Sequence, residues 1–210
     1  MSTILSNRVQ KIKPSATLAV SDKAKQLKAQ GVQIISMGSG EPDFDTPVNI
    51  QKAATQAIGA GETRYTAVDG TPQLKKAICE KFKRENGLDY SVNEVMVSSG
   101  GKQVFYNLCQ AILNKGDEVI IPSPYWVSYP DIVLLADATP VFIEAGLEQE
   151  FKITAEQLES SINANTKLLV LNSPSNPTGA VYTKSEIESL GDVLEKHPHV
   201  KIISDDIYEH

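Results

Sequence analysis

Short apolar runs alternate with amphipathic stretches along the second half of the chain. The runs lie near residues 94–98, 118–121, 140–143, 167–171 and 200–204. Between them, apolar residues recur at helical spacing, which predicts helices that begin near Gly101, Val127, Thr154 and Lys184. Apolar strands that alternate with amphipathic helices are typical of a parallel sheet covered on both faces. The pattern therefore predicts an α/β fold, an α/β/α sandwich with a mostly parallel sheet.

The first part of the chain is less regular. We predict a helix over residues 21–30 that Gly31 ends, followed by a loop over 38–47 with two prolines and three acids. Pro47 suits the first turn of a helix that runs to Gly59. Thr71-Pro72 opens another helix, which ends near Asn86-Gly87. The N-terminal ~60 residues are expected to lie partly outside the sheet.

Composition is that of an ordinary globular protein. Hydrophobic residues make up 41% and charged residues 22% of the chain. The net charge of −6 argues against broad nucleic-acid binding. Cys79 and Cys109 are interpreted as buried thiols, which suits a reducing compartment. The N-terminus lacks the apolar core of a signal peptide and no apolar run reaches membrane-spanning length, so we expect a cytoplasmic protein without membrane contacts.

The residues just after the predicted strands carry the candidate chemistry, because ligands of parallel sheets bind beyond the carboxyl ends of the strands. In S-S-G-G-K-Q, Gly100 and Gly101 open a helix whose free N–H groups and dipole favour an anion. A tight strand–helix turn explains these glycines equally well. Trp126, the only tryptophan, is either a core residue or a surface on which an aromatic ligand stacks.

The last two strand ends add polar groups. N-S-P-S-N-P-T-G is rich in turn formers, yet its Asn176 lies between rigid neighbours and can both donate and accept. Asp205 and Tyr208 follow the final strand. An anion cradle, a ring, an amide, a carboxylate and a phenol at one edge fit a flat phosphorylated heteroaromatic ligand with a basic ring nitrogen and a ring oxygen. Pyridoxal phosphate meets that description.

Two other classes of site are disfavoured. The glycine pairs at 38–40 and 100–101 lack the third glycine of G-x-G-x-x-G, which argues against a nicotinamide enzyme. His197, His199 and His210 have no further ligand nearby in the sequence, so no metal site is expected.

Seven stretches resemble one known family: K-P-S-A-T, G-E-P-D-F-D-T-P, R-Y-T-A-V-D-G-T-P-Q-L-K, G-G-K-Q, S-P-Y-W-V-S-Y-P, N-S-P-S-N-P-T-G-A-V-Y and S-D-D-I-Y-E-H. In combination they resemble the class I, fold-type I aminotransferases that depend on pyridoxal phosphate, specifically the bacterial aspartate aminotransferase branch, some of whose members also transaminate prephenate. The resemblance implies an N-terminal arm and part of a small domain over residues 1–60. It further implies a cofactor-binding large domain over 61–210, and a homodimer.

The resemblance also implies a role for each motif residue at the cofactor. Asp205 pairs with the pyridinium nitrogen, Tyr208 and Asn176 hydrogen-bond the ring oxygen, and Trp126 stacks on the ring. Gly100, Gly101 and Lys102 hold the phosphate through their backbone.

Three further assignments concern the substrate and the neighbouring subunit. Tyr65 reaches the phosphate bound by the partner subunit. Gly40 binds the substrate α-carboxylate with Asn176, next to Trp126. Lys13 belongs to the N-terminal segment that covers the substrate.

The chain departs from the family pattern in two ways. Asp206 replaces the glutamate that usually follows the ring-nitrogen acid. The Schiff-base lysine and an arginine for the α-carboxylate lie beyond residue 210 in the family, and Lys201, on a strand, cannot replace that lysine. No catalytic residue is therefore assigned within this chain, which we interpret as the inactive N-terminal part of a longer aminotransferase for amino acids and 2-oxo acids. The alternatives are a lyase with the same cofactor, such as one that cleaves C–S bonds, and a non-catalytic truncated binder.

Overall fold

The computed structural model describes residues 4–38 and 40–210, without the side chain of Ala16. Its contacts divide the chain into two compact units. The larger unit comprises the chain up to Lys13 together with Ser99–His210, and the smaller unit comprises Pro14–Ser98. The domain division at residue 60 comes from the resemblance and stays a prediction.

The larger unit is built on a four-stranded parallel sheet. Its strands are β1 (Glu118–Ser123), β2 (Thr139–Glu144), β3 (Thr166–Asn172) and β4 (Lys201–Asp205). They lie in the order β2-β1-β3-β4, and every neighbouring pair is parallel. Four of the five predicted strands are therefore confirmed. The register pairs Asn172 with Asp205, which brings the carboxyl ends of β3 and β4 to one edge.

Helices cover both faces of this sheet. They are α5 (Gly101–Ile112), α6 (Ser128–Leu135), α7 (Ala155–Ser161) and α8 (Lys184–Lys196), and a short α1 (Asn7–Gln10) precedes them. Val119 and Ile121 of β1 pack with residues of α5 and α6 in one core cluster. Ile120, between them, packs with residues of α7 and α8 in a second cluster. Alternate residues of one strand thus face opposite layers, which confirms the predicted sandwich.

The helices begin where their caps are. The side chains of Thr154 and Thr183 each accept a hydrogen bond from the backbone N–H three residues later. The side chains of Gln157 and Glu186 in turn accept from the backbone N–H of these threonines, so that both helices open with a capping box. These boundaries agree with the starts predicted from the sequence. None of the helices in the described part of the chain is long and apolar enough to cross a membrane.

The smaller unit is helical in its regular structure. It holds α2 (Ala16–Ala29), α3 (Val48–Gly59), α4 (Pro72–Lys81) and a π-helical turn (Phe82–Asn86). The predicted start of α2 at residue 21 is wrong, because Ser15 caps the helix and accepts from the Leu18 N–H at 3.4 Å. Pro47 occupies the N-cap position of α3 rather than its first turn.

The strand predicted at 94–98 is wrong. Residues Val92–Glu94 form a 3₁₀ turn, and the segment that follows pairs with no strand in the described parts of the chain. The Val97 N–H donates instead to the carbonyl of Asp69 in a loop, at 3.0 Å. An apolar run becomes a strand only when a neighbour completes its hydrogen-bond ladder, and the described residues provide no such neighbour here.

The two cysteines differ in burial. Cys109 is fully buried between α5 and the sheet, and burial raises the pKa of its thiol to about 12. Cys79 is only partly buried, so the interpretation of a buried thiol holds for Cys109 and is wrong for Cys79.

Lys152 joins the loop before α7 to the start of α8. Its Nζ lies 3.0 Å from a carboxylate oxygen of Glu150 and 2.7 Å from one of Glu186. The hydrogen bonds with Glu186 and Glu150 raise the pKa of Lys152. The hydrogen bond from Lys152, and a second from the Thr183 N–H at 2.7 Å, lower the pKa of Glu186.

We expect Glu186→Gln to lower the melting temperature of the full-length protein at neutral pH by roughly 1 °C. A carboxylate whose pKa is lowered by folding stabilises the native state above its unfolded pKa of 4.5, and that contribution is lost as the pH falls through its folded pKa. Lys152, with a raised pKa, contributes below 10.5 and loses its contribution as the pH rises through its folded pKa. Melting curves of the full-length protein between pH 3 and pH 11 measure the loss of stability at low pH and the loss at high pH.

The matched control is Glu188→Gln, because in the described part of the chain Glu188 forms only an exposed i, i+4 contact with Lys184 at 3.7 Å. It should leave the melting temperature nearly unchanged at every pH. A deficit of Glu186→Gln that is as large at pH 3 as at pH 7 would contradict the assignment.

Candidate active site

The N-terminus of α5 presents backbone donors. Gly100 is its N-cap, with φ 90° and no side-chain cap, a conformation that favours glycine. The first N–H groups of a helix have no acceptor within the helix. A Cβ added at Gly100 or Gly101 would meet nothing within 4 Å, so the backbone is open to approach. A phosphate suits this helix end electrostatically.

An aromatic and acidic chain of contacts runs from α5 to the tip of β4. The Lys102 Nζ lies over the Trp126 ring, 5.2 Å from its centroid. Trp126 meets Tyr129 edge to face, with ring centroids 5.2 Å apart. The Tyr129 hydroxyl donates to Oδ2 of Asp205 at 2.6 Å. Trp126 and Asp205 thus contact the same side chain, at the same edge of the sheet.

Asp205 is held by its backbone as well as its carboxylate. The Asn172 side-chain amide donates to the Asp205 carbonyl at 2.8 Å, across the β3–β4 register. The Asn172 Oδ1 accepts from the Asn176 N–H at 2.7 Å. Asn172 therefore fixes the loop that carries Asn176 relative to Asp205, and it links the ends of two strands.

The Tyr129 hydroxyl stays protonated. Burial, with added effects of the hydrogen bond to Asp205 and the charges of Asp205 and Tyr208, raises the pKa of Tyr129 far above its ordinary value. A phenol that does not ionise near neutral pH is a permanent donor to the carboxylate.

Tyr129 and Asn172 were not predicted as site residues. Tyr129 lies in the S-P-Y-W-V-S-Y-P motif three positions after Trp126, a spacing that puts two residues on the same face of a helical turn. Asn172 is the last residue of β3 and faces Asp205 in the register. The spacing to Trp126 could have identified Tyr129, whereas Asn172 is recognised only from the strand pairing.

Tyr208 and Lys13 of the larger unit take no part in this chain of described contacts, and Gly40 and Tyr65 belong to the other unit. Tyr208 is about half exposed, four residues after Ser204, in the turn that follows β4. Lys13 is exposed at the end of the N-terminal segment of the larger unit. Gly40 and Tyr65 belong to the smaller unit, where Tyr65 is fully exposed and a Cβ at Gly40 would meet nothing within 4 Å.

A small cavity borders the same strand ends. Its volume is about 20 Å³, and its lining includes Tyr125, Tyr129, Asn172 and Tyr182. Such a volume holds a single water molecule. A ligand the size of pyridoxal phosphate does not fit there.

Residues 32–210 match the family model described as aminotransferase class I and II. The chain belongs to this family of aminotransferases. The predicted family is thereby confirmed.

Curated relatives share the resemblance along almost the whole chain. The chain is 60% identical over 206 residues to an aspartate/prephenate aminotransferase of Cereibacter sphaeroides, covering 98% of this chain and 52% of that protein. It is 59% identical over 206 residues to the aspartate/prephenate aminotransferase of Nitrosomonas europaea, with the same coverage of 98% and 52%. The chain spans about half the length of the curated relatives that it matches.

Solved structures show the same fold. An aspartate aminotransferase from Rhizobium meliloti superposes with a TM-score of 0.96 at 48% identity, over 100% of this chain and 52% of that one. The aspartate aminotransferase from Thermus thermophilus with maleate superposes with a TM-score of 0.93 at 48% identity, over 97% and 53%. The fold is therefore that of the fold-type I aminotransferases.

Proposed function

We propose that the protein carrying this chain transfers an amino group between an amino acid, foremost aspartate, and a 2-oxo acid, with pyridoxal phosphate as its cofactor. The observation that carries the proposal is the position of Asp205 at the tip of β4, where Tyr129 and Asn172 hold it by hydrogen bonds. Tyr129 also contacts Trp126, so the carboxylate and the indole ring share one neighbour. The carboxylate suits the ring nitrogen of this cofactor, the indole suits its flat ring, and the open N-terminus of α5 suits its phosphate. The names of the relatives support the reaction.

The residues of the larger unit suit the parts of pyridoxal phosphate. The backbone N–H groups at Gly100, Gly101 and Lys102 would hold its phosphate, and Trp126 would pack against its ring. When bound, the cofactor supplies an electron sink for the carbanion left at the substrate Cα.

Three side chains would set the electrostatics of the ring. Asp205 would keep a proton on the ring nitrogen, because a carboxylate beside a basic nitrogen favours its charged form. Asn176 and Tyr208 would hydrogen-bond the ring oxygen and so fix the rotation of the ring in its plane.

Further contacts, with the substrate and with the partner subunit, are proposed from the family resemblance. Gly40 would present its N–H to the substrate α-carboxylate together with Asn176, and Lys13 would cover the bound substrate. Tyr65 would reach the phosphate of the cofactor bound in the partner subunit of a homodimer, and its full exposure in the single chain supports this role. We propose a cytoplasmic location for the dimer.

The test uses the full-length protein that contains residues 1–210. We expect it to retain pyridoxal phosphate through dialysis, with an absorption band in the visible, and to convert aspartate and 2-oxoglutarate to oxaloacetate and glutamate. Release of a thiol and ammonia from a cysteine conjugate, without this transfer, would instead support the lyase. Loss of the cofactor on dialysis would support the non-catalytic binder.

A further inference from the structure

Tyr129 contacts both the acidic and the aromatic member of the candidate site. We infer that Tyr129 is a positioning residue, whose hydroxyl orients the Asp205 carboxylate and whose ring orients the Trp126 indole toward one ligand. The inference rests on the proposed function, since it assigns what aligns these two groups on the cofactor ring. Neither the motif resemblance nor the names of the relatives assigns this role.

The hydroxyl leaves one carboxylate oxygen for the ligand. Oδ2 of Asp205 accepts from Tyr129 at 2.6 Å, a short charge-assisted bond. Oδ1 has a long contact of 3.4 Å with the Ile207 N–H. Because Asn172 also holds the Asp205 backbone, rotation about the side-chain bonds is the freedom that remains, and the Tyr129 hydroxyl removes it. Oδ1 is then the oxygen presented to the ring nitrogen.

The ring of Tyr129 is itself immobilised. It is 2% exposed, and it packs edge to face with Phe105 of α5 at 5.0 Å as well as with Trp126 at 5.2 Å. These contacts belong to the core cluster between α5, α6 and the sheet. A side chain packed this tightly has little rotamer freedom. Tyr129 therefore holds the Asp205 carboxylate and the Trp126 indole in fixed positions relative to the core.

Two substitutions separate the hydroxyl from the ring. Tyr129→Phe removes only the donor, and Tyr129→Leu also removes the aromatic contact with Trp126. Tyr182→Phe is the matched control, because its hydroxyl is also partly buried but accepts from the Ile153 N–H at 2.9 Å. Tyr182 contacts neither Asp205 nor Trp126 in the described hydrogen bonds and ring pairs.

The first readout is the midpoint of the pH-dependent change in the visible absorbance of bound pyridoxal phosphate. Tyr129→Phe should move it upward by roughly one pH unit. A loosely held carboxylate stabilises less positive charge on the ring nitrogen, so the conjugated nitrogen whose proton the visible band reports is repelled less and becomes more basic. Asp205→Asn should move it further in the same direction. In the Asp205→Asn background, Tyr129→Phe should add no shift, since the hydroxyl acts through the carboxylate.

The second readout needs no cofactor. Trp126 is the only tryptophan in residues 1–210, and any tryptophan in the remainder of the protein is replaced by phenylalanine for this measurement. In the apoprotein, acrylamide should quench Trp126 fluorescence more strongly in Tyr129→Leu than in the wild type, and equally in Tyr129→Phe and the wild type. Should Tyr129→Phe fail to fold, Tyr129→Met, which also lacks the donor, takes its place and should move the midpoint in the same direction.

The outcomes are distinct. A wild type that binds no pyridoxal phosphate refutes the proposed function. A wild type that binds it, with a midpoint unmoved by Tyr129→Phe or moved as far by Tyr182→Phe, overturns the inference alone. A full additional shift in the Asp205→Asn background, or equal quenching of Trp126 in Tyr129→Leu and the wild type, overturns it as well.

Discussion

Asp205→Ala in the full-length protein is expected to lower the rate of transamination by about 10²–10³-fold while the cofactor stays bound. In the proposed role the carboxylate would keep the ring nitrogen protonated, so that the ring can accept the electron pair left at the substrate Cα. It would take no part in holding the aldehyde carbon or the phosphate. An interaction made chiefly in the transition state affects kcat more than binding. Steady-state kinetics with aspartate and 2-oxoglutarate, together with the visible absorbance of the purified variant, measure both halves of this prediction.

The neighbouring acid supplies the control. Asp206 accepts a hydrogen bond from the Ser204 hydroxyl at 2.7 Å and is exposed, so Asp206→Ala should retain nearly full activity. A loss below about tenfold for Asp205→Ala, which corresponds to ~1.4 kcal/mol of barrier, would show that the pairing with the ring nitrogen is wrong. Equal losses in the two variants would point to a general effect of the acidic turn.

The sheet could be predicted because short stretches of sequence determine its strands and the helices between them. Each of β1–β4 is a short run with a strongly apolar centre, and the flanking caps, such as Thr154 and Thr183, fix where the next helix begins. The run at 94–98 has the same composition, yet it forms no strand among the described residues, because a ladder depends on a neighbour that composition does not specify.

The site was predicted only in part for a similar reason. Its motif residues could be read from strand ends and from the family resemblance, but their connections span the chain. The bond from Tyr129 to Asp205 joins residues 76 positions apart, and the bond from Asn172 to Asp205 joins residues 33 apart. Only the order and register of the strands bring these pairs together.

The structure also bears on how residues 1–210 behave without the remainder of their relatives' length. Among the described residues of the smaller unit, Lys75 is the only buried one, and it is paired with Asp69. That unit therefore buries no apolar side chain in its described part. Burial of apolar surface is the main term that offsets chain entropy, so the described part of residues 14–98 lacks a core of its own.

The sheet of the larger unit has an exposed edge at β4. This strand ends the order β2-β1-β3-β4, so its outer edge pairs with no strand in the described residues. Ile202 on it is 52% exposed, and Ile207 just beyond is 70% exposed. The family resemblance implies that two further strands would lie beside it. Unpaired apolar edges pair readily with other chains.

We therefore expect residues 1–210, expressed alone, to be aggregated or molten and without aspartate-to-2-oxoglutarate transfer. Size-exclusion chromatography, near-ultraviolet circular dichroism at Trp126 and thermal unfolding test the physical state, with the full-length protein as the reference. Ile202→Lys places a charge on the exposed edge and should raise the soluble fraction without restoring a cooperative transition or activity. A monomeric product of residues 1–210 that unfolds cooperatively would refute the prediction, and so would transfer activity that persists after host enzymes are removed.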